Sequence, residues 1–115
     1  MSAIIDTTQL VEDMKDAASK ILNKDVTTMR GFSRRQIFAI AQQSELVALG
    51  IVNGKITEET REFFLDSIEE MVLNFAKTLR GILMVTIEKV WNAIVGVIWK
   101  VIEDVTGLNI SGSEL

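Results

Sequence analysis

Apolar side chains recur every three or four residues across 57–106, at Phe64, Ile68, Met71, Phe75, Leu79, Leu83, Ile87, Val90, Ile94, Val97, Val101 and Val105. A helical period with one side always apolar predicts an amphipathic α-helix. Thr57 supplies its N-cap, and Glu58, Glu59 and Glu62 suit the positive end of the helix macrodipole. Gly81 is the natural place for a bend or a break. Yet no Ser, Thr, Asp or Asn stands just before Ile82 to cap a new helix, and the stripe crosses Gly81 without losing phase. A glycine inside a helix costs only about 1 kcal/mol. The expectation is therefore one long helix over about 58–105, with a kink or a helical hairpin at Gly81 as the alternative. Gly107 with Leu108 reads as its Schellman-type end.

Two shorter amphipathic segments precede it. Asp6 with Gln9 makes a capping box and Ile5 with Leu10 a hydrophobic staple, so a helix is expected from about 7 to 23. Leu10, Val11, Met14, Ala17, Ala18, Ile21 and Leu22 form its inner side. The stretch 23–32 has neither helical nor strand period and reads as a loop. Ser33 with Gln36 and Phe32 with Ile37 repeat the start signal, predicting a second helix over about 34–49. Its face is Ile37, Ile40, Ala41, Ser44, Val47 and Ala48, widened by Phe38, Leu46 and Leu49. Gly50 is placed to stop it in a left-handed conformation. Asn53-Gly54 then gives a turn; two flanking residues on either side are too few for a stable hairpin, so a helix-to-helix connection is expected.

With 115 residues and no proline, the chain reads as one all-α domain spanning 1–115, with 1–5 and 108–115 as frayed tails. A helix over 58–105 would be about 70 Å long, against about 20–25 Å for each earlier helix. Those two cannot cover it, so its apolar side calls for a second copy, another protein or lipid. The expected self-association interface is Leu79, Leu83, Ile87, Val90, Trp91, Ile94, Val97, Ile98 and Val101, closing a coiled-coil-like bundle by oligomerisation. Charge favours an antiparallel dimer: Glu58, Glu59, Glu62, Asp66, Glu69 and Glu70 make the first half acidic, and Lys77, Arg80, Lys89 and Lys100 make the second basic. Ion pairs at about 0–1 kcal/mol each would choose orientation, while the stripe supplies affinity.

Composition removes most chemistry. The chain has no histidine, cysteine or tyrosine, so the commonest general base, the thiolate nucleophile and the usual zinc ligands are missing together. Glu62, Asp66 and Glu69 or Glu70 share a helix face as a carboxylate-bridged metal site would require, but the Glu-x-x-His of di-iron bundles is absent, and a solvated acidic stripe is the better reading. No glycine-rich phosphate loop occurs. Lys20, Lys24, Arg30, Arg34 and Arg35, with Phe32 among them, form the one basic cluster, diluted by Asp13, Asp16 and Asp25. With a net charge of −4, nucleic acid is an unpromising partner.

A non-enzymatic, self-assembling structural or adaptor protein follows, one that acts through protein-protein contacts in a larger cellular or phage-type assembly and needs no cofactor or metal. The runner-up is a membrane-surface protein that lays the 81–102 stripe on lipid, with Trp91 and Trp99 as interfacial residues. Glu88 and Lys89 in mid-segment argue against spanning, at about 2.5–3.5 kcal/mol each. The first residues carry acids and lack a secretory pattern, so a cytoplasmic location is expected.

Overall fold

Local signals set the helix starts in the computed structural model, which describes residues 4–110. The Asp6 carboxylate accepts the Gln9 N–H at 3.1 Å and opens α1, Thr7–Leu22. Gln9 does not complete the box; its amide donates to Asp13. α1 ends in a Schellman pair at left-handed Asn23, whose N–H donates to the Lys20 carbonyl while the Lys24 N–H donates to that of Ser19. A 3₁₀ turn, Val26–Thr28, hangs on the Ser19 hydroxyl, which accepts the Val26 N–H at 2.9 Å. Ser33 caps α2, Arg34–Val52, by accepting the Gln36 N–H.

α2 runs past the glycine expected to stop it. Gly50 lies within the helix, and a Cβ there would meet the Ile56 side chain at 2.7 Å. The helix ends at Asn53 instead, with left-handed Gly54 behind it and the Ile56 N–H on the Gly50 carbonyl. The 51–56 connection is thus helix to helix, and no strand occurs among the described residues. The Thr57 N–H donates to the Thr60 hydroxyl at the start of α3, Glu58–Thr78.

The long helix does not form. The chain leaves α3 at Leu79, Gly81 takes a φ of +83°, and α4, Met84–Thr106, begins after a five-residue turn. Leu83 occupies the N-cap position with no side-chain hydrogen bond, the missing signal that favoured continuity. Burial outweighs it. Folding back lets α4 seal Val90, Trp91, Ile94, Val95, Ile98, Trp99 and Ile102. Each is worth about 1.5–3 kcal/mol, so even two exceed an absent cap at about 1 kcal/mol. Tertiary contacts also hold the break: the Arg80 N–H donates to the Arg30 carbonyl at 2.9 Å, and Gly31 lies against the Thr78 carbonyl.

The result is an all-helical bundle in which α2 and α4 touch each other and both outer helices, α1 and α3. Its extents of 42 × 29 × 18 Å replace the expected rod of about 70 Å. The shared core runs from Leu10 and Met14 through Ile37, Ile40, Ile68 and Phe75 to Ile94 and Ile98. At the chain ends, Ile5 is buried and the Ile110 N–H is held by the Glu103 carboxylate at 2.7 Å, whereas 1–3 and 111–115, the outer parts of the expected tails, lie outside the described residues. Gly107 closes α4 with one bond to the Glu103 carbonyl, and the Leu108 N–H goes to the Thr106 hydroxyl, so the end is not the Schellman pair expected.

The two tryptophans are buried equally but satisfied unequally. Trp91 Nε1 donates to the Glu69 carbonyl at 3.0 Å, while Trp99 Nε1 is buried without an acceptor. Both phenylalanine replacements leave similar voids, but only Trp91→Phe removes a bond, so it is expected to cost about 1 kcal/mol more than Trp99→Phe in urea unfolding. Equal costs would mean that the Trp99 N–H has an acceptor after all.

Candidate interaction surfaces

The stripe expected to recruit a second copy is largely consumed within the chain. Leu79, Val90, Trp91, Ile94 and Ile98 are buried by neighbouring helices. Ile87, Val97 and Val101 are half-buried against the core, and Leu83 stands out in solvent. The buried members of this stripe therefore need no cover from outside the chain, while Leu83, Met84 and Val85 of the 81–102 segment stay exposed. Among the described residues no helix is long and apolar enough to cross a membrane.

Apolar exposure lies elsewhere, in three places. Phe38 is 42% exposed and, with Val11 and Thr8, lines an open cleft of about 420 Å³ between α1 and α2, edged by Glu12, Arg34 and Arg35. The sequence put Phe38 on the inner face beside Ile37; the helix turns it outward, together with Leu46. Arg34 and Arg35 occupy the first turn of α2, where the macrodipole opposes cations, and no carboxylate among the described residues forms an ion pair with either. Arg34 also borders a polar cleft with Glu12, Lys15, Asp16, Ser19, Asp25 and Thr27. There Thr27 donates hydroxyl and backbone N–H to Asp25, which holds that carboxyl below its ordinary value of 3.8. The basic cluster is thus interrupted by acids, and Phe32 is drawn out of it into an edge-on contact with Phe75 at 5.9 Å.

The second place is Phe63 on α3, 73% exposed. Glu59 and Asp66, one turn to either side of it, are also exposed, as is the adjacent Glu62, so the ring stands among carboxylates. No group of three His, Cys, Asp or Glu residues placed to hold a metal ion occurs among the described residues. The third place is the α3–α4 turn, where Leu83, Met84 and Val85 are 73%, 62% and 55% exposed in succession. Four apolar residues in a row, 82–85, cannot share one helix face, and that is the sequence signal for this exposure. Comparison with protein-family models, with curated proteins and with solved structures gives no match.

Proposed function

We propose that the protein is a non-enzymatic, cytoplasmic adaptor that works through protein-protein contacts and self-associates. The supporting observation is the pair of exposed phenylalanines in opposite electrostatic settings: Phe63 among Glu59, Glu62 and Asp66, and Phe38 beside Arg34 and Arg35, which have no ion pair among the described residues. An acid-ringed aromatic knob from one copy fits a cation-rimmed apolar cleft on another. An antiparallel two-fold dimer makes that contact twice, with burial of the rings supplying affinity and the charges choosing orientation. The chain also lacks the residues on which most acid-base and nucleophilic catalysis depends.

Size-exclusion chromatography with light scattering tests this without detergent. A mass near twice 12.8 kDa is expected, rising with protein concentration. Arg34→Glu with Arg35→Glu should weaken the dimer at least about 10-fold, the equivalent of about 1.4 kcal/mol, and adding Glu59→Lys and Glu62→Lys should restore it. A strictly monomeric species at every concentration would overturn the reading.

A further inference from the structure

We propose that the α3–α4 turn is a docking tip for an anionic lipid surface. The observation is a combination at one end of the bundle: three consecutive large apolar residues in solvent, Leu83, Met84 and Val85, set among cations. Lys77, in the last turn of α3, and Arg80, within the turn, are exposed. Arg30 is brought alongside by the bond between its carbonyl and the Arg80 N–H. Lys89 lies one helical turn beyond Val85 on the same side of α4. None of these four cations has an ion pair among the described residues. Glu88 is the one carboxylate in 71–102. Cations around an apolar tip match the two layers of a bilayer surface, phosphates outside and acyl chains beneath.

Two further features favour lipid over a protein partner. The exposed residues straddle the N-cap and first turn of α4, so their side chains point to several sides of a convex tip. A fluid interface accepts such a knob, whereas a protein needs a matching socket. Charge is also polarised along the molecule. α3 and α4 run antiparallel, with Trp91 bonded to the Glu69 carbonyl, so Glu58, Glu59 and Glu62 lie at the end remote from the tip, as do Glu103 and Asp104. A helix the length of α4 is about 34 Å, several Debye lengths of about 8–10 Å, so an approaching anionic surface meets the cations while the acids are screened. The net charge of −4 therefore does not forbid docking tip first.

The test is vesicle flotation of the full chain, with phosphatidylcholine alone or mixed with phosphatidylserine at about one third. Binding is expected to the mixed vesicles only and to fall at least about 10-fold when salt is raised to about 0.5 M. Leu83→Glu with Met84→Glu should abolish binding, and Lys77→Glu with Arg80→Glu should weaken it about 10-fold or more. All four positions are exposed, so helicity by circular dichroism should be unchanged. No binding to mixed vesicles, equal binding to both kinds, or full binding by the Leu83→Glu, Met84→Glu variant would each overturn the proposal. So would a lipid-indifferent chain whose dimer is broken by those two substitutions, since the tip would then be a protein interface. The Arg34 and Arg35 variant serves as the control: it should float like the parent whether or not it dimerises.

Discussion

Gly31→Ala is expected to remove a large part of the stability of the fold. A Cβ at Gly31 would lie 1.8 Å from the Thr78 carbonyl oxygen and 2.8 Å from its carbon, both of them backbone atoms at the end of α3. The glycine also holds a φ of +87°, where any other residue is strained by about 1–2 kcal/mol. Relief requires the 29–32 loop to lift away from α3. That motion breaks the Arg80 to Arg30 hydrogen bond and pulls Phe32 off Phe75. A cost of about 3–5 kcal/mol follows, from a total of about 5–15 kcal/mol for a domain of this size. Thermal unfolding followed by circular dichroism should show a melting point lower by roughly 15 °C or more. Gly81→Ala is the comparison. It has a φ of +83° but open space around the added carbon, so only the conformational penalty of about 1–2 kcal/mol applies. If both variants melt alike, the close docking of Gly31 on Thr78 is wrong.

That same contact explains what could and could not be read from the chain. The starts of α1, α2 and α3 were legible because Asp6, Ser33 and Thr57 lie within three residues of the groups they bond or face. The break at 79–83 was not, because much of what holds it comes from Arg30 and Gly31, about fifty residues away in sequence. Leu79 and Leu83 keep the helical step between them, yet one is buried in the core and the other stands in solvent. Phase across a glycine therefore does not distinguish a continuous helix from a hairpin whose two inner faces meet. The same ambiguity governed the stripe on α4. Val90, Ile94 and Ile98 needed a cover, and the periodicity is blind to whether it comes from the same chain or another. Gly50 misled for a different reason: its small size serves the packing of Ile56, and the helix stop lies with Asn53-Gly54.

The surfaces were harder to read than the core. Phe38, Phe63 and Leu83 are apolar residues like any other in the pattern, and their exposure depends on how four helices are rotated about their axes. What the sequence did carry was their charged company: the acids flanking Phe63, the arginine pair three and four residues before Phe38, and Arg80 beside the 82–85 run. Along one long helix charge would orient a dimer. In the folded chain it marks the ends and edges of a bundle, beside the apolar residues that stand in solvent.

Phe75→Ala should be the most damaging substitution within the core. Phe75 is fully buried on α3, meets Phe32 edge-on with ring planes at 82°, and sits one turn before Leu79, where the chain turns back. Truncation at such a site costs about 3–5 kcal/mol in lost transfer energy and cavity. The aromatic pair adds about 0.5–1.5 kcal/mol beyond area burial. Phe32 is half-buried, so Phe32→Ala should cost less, about 1–3 kcal/mol. Because the two rings touch, the double variant should be less destabilised than the two single costs added, by about 0.5–1.5 kcal/mol. Urea unfolding of the parent, the two single variants and the double variant measures that coupling. Strict additivity would mean that the loop before α2 is not held on α3 through these rings, leaving the Arg80 to Arg30 hydrogen bond and the Gly31 contact with Thr78 to hold it.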